Sequence, residues 1–207
     1  MTFTPRKDPD KRRQEILEAA GALFYELGYQ KASLRDISRR VKITQAAIYY
    51  HFQNKEEILY AIIDEFSNRL DRTLRDCLSL EMDPIEKLKE TIKAHLRFME
   101  TDRQSIKILI EDKRLLGDKL GRKIKRREKT FFNLYKAYLK EMKDAGLLQD
   151  IDLTTATFGI FGQINWLYHW WQPKINPSIE PLAENIIKMI FYGLVKDKQV
   201  KPRRIRG

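Results

Sequence analysis

ITQAAIYYHFQNKEEIL, from Ile43 to Leu59, places Tyr49, Tyr50, His51 and Phe52 side by side between a Thr-Gln-Ala-Ala run and a Lys-Glu-Glu run. A helix turns by about 100° per residue, so consecutive rings point in all directions and only some of them can face a core. The rest must face something else. The flanking residues set the local frame. Thr44 can cap a helix over Gln45–Tyr50, and Asn54 followed by Glu57 gives a capping pair for a longer helix after it. Upstream, Ser33 and Asp36 have the spacing of a capping box for a short helix ending near Arg40. A first helix is expected from about Asp10 to Leu27, with Ile16, Ala19, Ala20, Leu23 and Leu27 on one stripe and Gly28 as its stop.

Beyond this stretch every periodic segment is helical, and no Val/Ile/Thr-rich alternating run bounded by turn residues is present. A fourth helix carries Ile58, Ile62, Phe66, Leu70, Leu74 and Leu78 on one face, and Cys77 reads as a small buried hydrophobe in that series. A fifth starts at Pro84 with Ile85, Leu88, Ile92, Leu96 and Met99 in phase, and a sixth holds Ile106, Leu109 and Ile110. Gly117 and Gly121 are expected to loosen the stretch before a seventh helix, marked by Phe131, Leu134, Tyr135, Tyr138 and Met142. The eighth, about Asp152 to Trp171, is apolar nearly all round and so expected to be buried on more than one side. Ser178 can cap a ninth with Leu182, Ile186, Ile190 and Leu194 on one face. The fold class is all-α with about nine helices. Residues 1–53 form an N-terminal arm and a three-helix unit, residues 54–195 a larger helical body entered by a connecting helix over 54–81, and residues 196–207 a basic tail predicted to be disordered.

The net charge of +11 is uneven: residues 113–129 carry nine Lys/Arg against two Asp/Glu, and residues 196–207 six against one. Localised positive charge on an otherwise acidic chain points to a polyanion, with nucleic acid the usual partner. The N-terminus MTFTPRKDPDKRRQE is too polar for a secretory signal and no apolar run is long enough to span a bilayer, so no membrane partner and a cytoplasmic location are expected. One cysteine excludes an intrachain disulfide, and three scattered histidines offer no metal site. No cofactor is expected. Neither a GxSxG elbow nor a Gly-rich phosphate loop occurs, and the carboxylates are mostly interleaved with lysines as helix-surface pairs, so an enzyme is not expected.

Two short helices joined by a turn of a few residues have the dimensions of a helix-turn-helix, whose second helix enters the DNA major groove. Gln45 then stands at the end of the helix that reaches base edges, where Gln can read adenine, and Ala46 is small enough to let the helix sit deep. Tyr49, Tyr50 and His51 supply donors for phosphate, with Lys55 close by, while Ile48 and Phe52 belong inward.

At these residues the sequence resembles the TetR family of bacterial regulators: Ile16, Ala19, Ala20, Phe24, Gly28, Tyr29, Ser33, Ile37, Ile43, Tyr49, His51, Phe52, Lys55, Glu56 and Leu59 follow its pattern. The resemblance implies DNA contacts from Ser33, Arg35, Thr44, Gln45, Ala46, Tyr49, Tyr50, His51 and Lys55. The turn, usually Ala-Gly-Val in that family, is here Val41-Lys42-Ile43, so a lysine occupies a position that suits glycine and can add a phosphate contact.

The same resemblance implies a homodimer on a pseudo-palindromic operator, a repressor released by a small hydrophobic effector, and the fourth helix as the mechanical link. Pocket residues would include Phe66, Phe98, Leu109, Asn165, Trp166 and His169, and the dimer interface Phe161, Ile164, Tyr168, Trp171, Ile186 and Ile190. The Asn-Trp, Trp-Trp, Pro ending of the eighth helix resembles members that sense acyl-CoA thioesters. The basic run Gly121–Lys129 could meet CoA phosphates, DNA or solvent. The alternative is a constitutive or architectural DNA-binding factor of the same fold.

Overall fold

A computed structural model describes residues 8–175 and 178–194, with the side chain of Leu194 excluded. The basic tail and Pro177 lie outside the described residues. Among the described residues the helices are α1 (Pro9–Leu27), α2 (Leu34–Val41), α3 (Gln45–His51), α4 (Lys55–Ser79), α5 (Pro84–Thr101), α6 (Arg103–Lys107), α7 (Asp118–Asp144), α8 (Leu153–Trp170) and α9 (Glu180–Leu194). A π turn over Ile108–Asp112 and a 3-10 turn over Lys113–Leu115 join α6 to α7.

The helix starts follow from side-chain caps. Asp8 accepts from the Asp10 amide at 3.1 Å and is followed by Pro9, which needs no intrahelical partner. Asp83 accepts from the Ile85 and Glu86 amides, and Asp152 from Thr155 at 2.7 Å. Ser178 accepts from the Glu180 amide at 3.2 Å. One helix start differs from the sequence expectation. α7 begins at Asp118 and runs unbroken through Gly121, because Ile124 is buried in a core that holds this turn in place.

The chain divides into two compact units: residues through Leu70 with Asp102–Arg127, and Asp71–Thr101 with the residues from Glu128 onward. The first does not follow a division at residue 53. Ile16, Ala20 and Phe24 of α1, Ile37 of α2 and Ile48 of α3 share one core with Ile58, Leu59, Ile62 and Ile63 of α4, Ile108 and Leu116 of the α6–α7 connection, and Ile124 of α7. Three short helices expose too much of their surface to be stable alone, and each fully buried Ile or Leu borrowed from α4 and beyond adds about 1.5–3 kcal/mol. Polar contacts secure the borrowed pieces. Lys107 Nζ donates to the Tyr25 carbonyl at 2.9 Å, the Gly117 amide donates to Glu56 Oε1 at 2.8 Å, and Arg127 pairs with Asp64 at 2.9 Å.

In the second unit the buried residues are Leu88, Ile92, Leu96 and Met99 of α5, Phe131, Tyr135, Leu139 and Met142 of α7, Ile160 and Ile164 of α8, and Ala183, Ile186, Ile187 and Ile190 of α9. Cys77 is half-buried instead of fully enclosed. The two faces of α8 are the reverse of those expected. Ile164, Tyr168 and Trp171, with Ile186 and Ile190 of α9, are buried within the chain, and Phe161 is half-buried against His95 and Tyr135, so none of these six forms an open interface. Asn165, Trp166 and His169, assigned to a pocket, stand on the exposed face. Of the remaining pocket residues, Leu109 packs against the core of the first unit, Phe66 is buried, and Phe98 is half-buried in the second unit. Phe66 and Leu109 belong to the first unit, and Phe98, Asn165, Trp166 and His169 to the second. The physical reason is that α8 is apolar on both sides, so helical periodicity alone cannot rank its faces.

Candidate nucleic-acid interface

The interface is built by three caps and a left-handed turn. Ser33 accepts from the Asp36 amide at 3.2 Å while the Ser33 amide donates to Asp36 Oδ2 at 3.1 Å, a reciprocal capping box that starts α2. The Ser33 hydroxyl and amide hold the Asp36 carboxyl below its ordinary range. α2 ends on Lys42, which adopts φ 58° and ψ 48°, the left-handed region. The Ile43 amide then donates to the Ser38 carbonyl at 2.9 Å, closing the turn. Thr44 accepts from the Ala47 amide at 3.2 Å and starts α3. Asn54 accepts from the Glu57 amide at 2.8 Å, and the Gln53 amide donates back to Glu57, so α4 starts with only three residues between it and α3.

α3 is seated by Ile48, and the following Phe52 is buried with it. Arg13 lies over the Phe52 ring at 5.2 Å and pairs with Glu65 at 2.5 Å. With that face fixed, the other side of the helix turns outward. Gln45 and Ala46 are exposed, Tyr49 is 54% exposed and Tyr50 79%. Arg35, Lys42 and Thr44 are exposed beside them, and His51 is half-buried with its ring edge-on to Tyr50 at 5.0 Å. An α-helix is about 10–12 Å across with its side chains, which a major groove about 12 Å wide accepts. Arg40, by contrast, is tied to Glu26 through two bonds of 2.9 and 3.0 Å.

Lys55 differs from its expected role. Its Nζ donates to the carbonyls of Tyr29 at 2.8 Å and Ala32 at 2.9 Å, with Gln30 at 3.4 Å, and sits 4.2 Å from the Tyr29 ring centroid. Burial pushes its ammonium pKa down. The lysine therefore braces the α1–α2 connection, and its donors point inward rather than at phosphate. Sequence pattern alone carries no signal for this, because the partners are backbone carbonyls about 25 residues away. Arg13 and Glu65 are a second brace that the sequence does not mark.

The basic run on α7 is mostly surface: Arg122, Lys123, Lys125, Arg126 and Lys129 are exposed, with Lys123 near the Tyr60 ring at 5.2 Å. A cleft of about 210 Å³ lies in the first unit, lined by Leu27, Gly28, Tyr29, Gln30, Lys31, Asp112, Arg114 and Leu115. Among the described residues no group of His, Cys, Asp and Glu could hold a metal ion, and no helix is long and apolar enough to cross a membrane.

A short capped helix presented on a buried seat, preceded by a second short helix across a tight turn, defines a helix-turn-helix regulator of the DNA-binding class. Residues 16–62 match the profile described as bacterial regulatory proteins, tetR family, and residues 81–194 the tetracyclin repressor-like C-terminal domain. The chain belongs to the TetR family of transcriptional regulators. It is 24% identical over 200 residues to the HTH-type transcriptional repressor KstR2 of Rhodococcus jostii, covering 94% of this chain and 98% of that one. The crystal structure of the TetR family regulator PfmR from Thermus thermophilus superposes with a TM-score of 0.80 at 27% identity, covering 86% of this chain and 97% of that one. AibR in complex with isovaleryl coenzyme A and operator DNA gives a TM-score of 0.79 at 24% identity, with 87% and 98% covered.

Proposed function

We propose that the protein is a homodimeric repressor that binds a pseudo-palindromic operator and is released by a small hydrophobic effector. The observation that carries the DNA reading is α3, whose exposed Gln45, Ala46, Tyr49 and Tyr50 are held on buried Ile48 and Phe52. In this reading Gln45 and Ala46 meet base edges, while Ser33, Arg35, Lys42, Thr44, Tyr49, Tyr50 and His51 meet the backbone. Lys55 acts through the α1–α2 connection.

The dimer surface is the outer face of α8 and α9, where Phe158, Trp166, Trp170, Met189 and Tyr192 are each more than half exposed. A β-carbon at Gly159 or Gly162 on the same face would meet nothing within 4 Å. Glycine in a helix interior costs about 1 kcal/mol against alanine, so two of them facing open space imply a close neighbour outside the chain. A twofold pairing through this face would set the spacing of two copies of α3. Effector binding in the second unit would favour a dimer with a different spacing, and α4, continuous from Lys55 to Ser79 and contributing to both units, would carry the change. AibR, crystallised with isovaleryl coenzyme A, supports an acyl-CoA as the effector class. A cytoplasmic location follows from this role.

Selection from a random duplex pool with the full chain tests the reading. A pseudo-palindrome should be enriched, Gln45→Ala and Tyr49→Ala should abolish its retention, and acyl-CoA should release it. Enrichment of no sequence, or equal retention by both variants, refutes DNA recognition through α3. Retention unchanged by acyl-CoA and by extracts of bacterial lipid favours a constitutive regulator.

A further inference from the structure

The corner between α6 and α7 and the first turns of α7 carry a charge that the recognition helix does not use. From Lys113 to Arg127 the sequence holds eight Lys/Arg and one acid, Asp118. Lys119, Arg122, Lys123, Lys125 and Arg126 stand exposed on one side of α7, with Ile124 buried on the other. Among the described residues Lys119, Arg122 and Lys125 have no carboxylate partner. Lys119 and Lys123, like Arg122 and Arg126, are four residues apart, and like charges at that spacing repel and weaken a helix. Other exposed helix faces of this chain are built the opposite way. Arg75 pairs with Asp71, Lys89 with Glu86, Lys93 with Glu90 and, later on α7 itself, Lys140 with Asp144. An unneutralised row is unfavourable in the free protein, and a polyanion laid along it removes the repulsion.

The row belongs to the same compact unit as α2 and α3. The Gly117 amide, one residue before α7, donates to Glu56 in the first turn of α4, and Lys123 lies 5.2 Å from the Tyr60 ring one turn later. The row therefore starts at the end of α4 that adjoins α3. The cleft of about 210 Å³ ties it to α2, because Arg114 and Lys31 both line that cleft. Lys31 stands two residues before Ser33, the cap of α2. Asp112 is the one acid in the lining, and it is half-buried while Lys31 and Arg114 are exposed. Exposed cations thus run from the start of α2, through Lys31 and Arg114, to the first turns of α7. From Lys119 to Lys125 the helix axis rises about 9 Å, a length over which duplex DNA presents about five phosphates.

We propose that Lys119, Arg122 and Lys125, continued by Arg114 and Lys31, form a second DNA-contacting surface that holds phosphates of the duplex flanking the half-site read by α3. Every sequence carries the same phosphates, so the surface adds affinity and no specificity. A duplex cut to the half-sites leaves it empty, and one that runs on past them fills it. The placement favours DNA over an anionic membrane or an acidic protein, because the row begins beside the start of α2 and the first turn of α4 in the unit that carries α3. The inference rests on the reading that α3 binds DNA and adds to it a contact outside the helix-turn-helix.

The triple variant Lys119→Gln/Arg122→Gln/Lys125→Gln of the full chain tests it, by fluorescence anisotropy on a labelled duplex of random sequence. Three lost phosphate contacts per protomer should lower the slope of log affinity against log salt by about 2–3 and weaken binding about tenfold or more at about 0.1 M salt. Its thermal midpoint should stay level or rise, since repulsion within α7 is relieved. The charge-keeping variant Lys119→Arg/Arg122→Lys/Lys125→Arg should retain the parent's slope. On the pseudo-palindrome enriched by selection, about ten base pairs of flank added at each end should tighten binding by the parent and not by the triple variant. An unchanged salt slope in the triple variant, a slope lost equally in the charge-keeping one, or flanks that gain nothing for the parent overturns the surface. So does a loss confined to phosphatidylglycerol vesicles with DNA affinity intact, which makes the row a membrane contact. Gln45→Ala and Tyr49→Ala binding like the parent while the triple variant fails on random duplex would refute recognition through α3 and leave the basic surface as a DNA contact. Loss of the palindrome by those two variants, with affinity and salt slope intact in the triple variant, would do the opposite.

Discussion

Lys55→Met separates two physical roles for one lysine. Methionine keeps an apolar stem of similar length and removes the charge and all donors. In the structure those donors serve the Tyr29 and Ala32 carbonyls at 2.8 and 2.9 Å, and the ammonium also faces the Tyr29 ring at 4.2 Å. A charged donor to a buried carbonyl contributes about 1.5–3 kcal/mol and the ring contact about 0.5–1 kcal/mol. The site is partly open, so water can replace part of what is lost, and the expected destabilisation is about 2 kcal/mol. Urea unfolding followed by far-ultraviolet circular dichroism reads it as a lower midpoint at unchanged slope. DNA affinity should fall as well, because Ala32 precedes the cap of α2. Its salt dependence should not change. A phosphate-binding lysine contributes about 0.9 to the slope of log affinity against log salt, and removing it lowers that slope whatever the stability does. A variant within about 0.5 kcal/mol of the parent, with the slope reduced by about one, would refute the brace and restore the phosphate contact.

Three further outcomes are expected. Lys42→Gly relieves a left-handed backbone that costs a non-glycine residue about 1–2 kcal/mol, against about 0.5–1 kcal/mol of extra freedom in the unfolded chain, for a net gain of about 0.5 kcal/mol in thermal unfolding; a loss would mean that the turn is otherwise arranged. Gly162→Leu should stabilise the helix by about 0.5–1 kcal/mol while weakening the dimer, so sedimentation velocity should find a folded monomer at concentrations where the parent is paired; an undiminished dimer rejects the α8 face. For His95, buried with Nδ1 3.2 Å from the Tyr135 hydroxyl, the unfolded chain takes up a proton as pH falls through about 6.5 while the folded one resists until about 4. The folded state is therefore favoured above that window and loses up to about 3 kcal/mol across it on acidification. Urea midpoints taken from about pH 7 down to about pH 4 should fall more steeply in the parent than in the His95→Phe/Tyr135→Phe variant, and equal slopes would contradict the buried neutral imidazole.

The DNA-binding end is legible because it is written in local chemistry. Ser33, Thr44 and Asn54 each cap the helix that the sequence assigns to them, and Ile48 and Phe52 turn inward as expected. Caps, turns and helical stripes involve residues within four positions of one another, so a single sequence contains them. Lys55 is not legible, for the opposite reason. Its partners are carbonyls, which every residue carries, and only the folded chain brings them near. The extent of the first unit escapes on similar grounds, since Ile108, Leu116 and Ile124 look like any other helical apolar residue until the fold puts them beside Ile58 and Ile62.

α8 exposes a deeper limit. In the proposed dimer α8 lies between a core and a second subunit and so is apolar on both faces, and the same composition erases the direction of each face. What distinguishes them is shape. The inner face carries Ala156, Thr157, Ile160, Ile164, Leu167 and Tyr168, buried in the chain's own core with no glycine among them. The outer face alternates extremes, with Gly159 and Gly162 beside Phe158, Trp166 and Trp170. Alternating voids and large rings are poor packing against water and good packing against a copy of themselves, because a twofold axis lays each ring toward a gap. Gly159 and Gly162, which touch nothing in their own chain, are the observation that best supports the proposed pairing through this face.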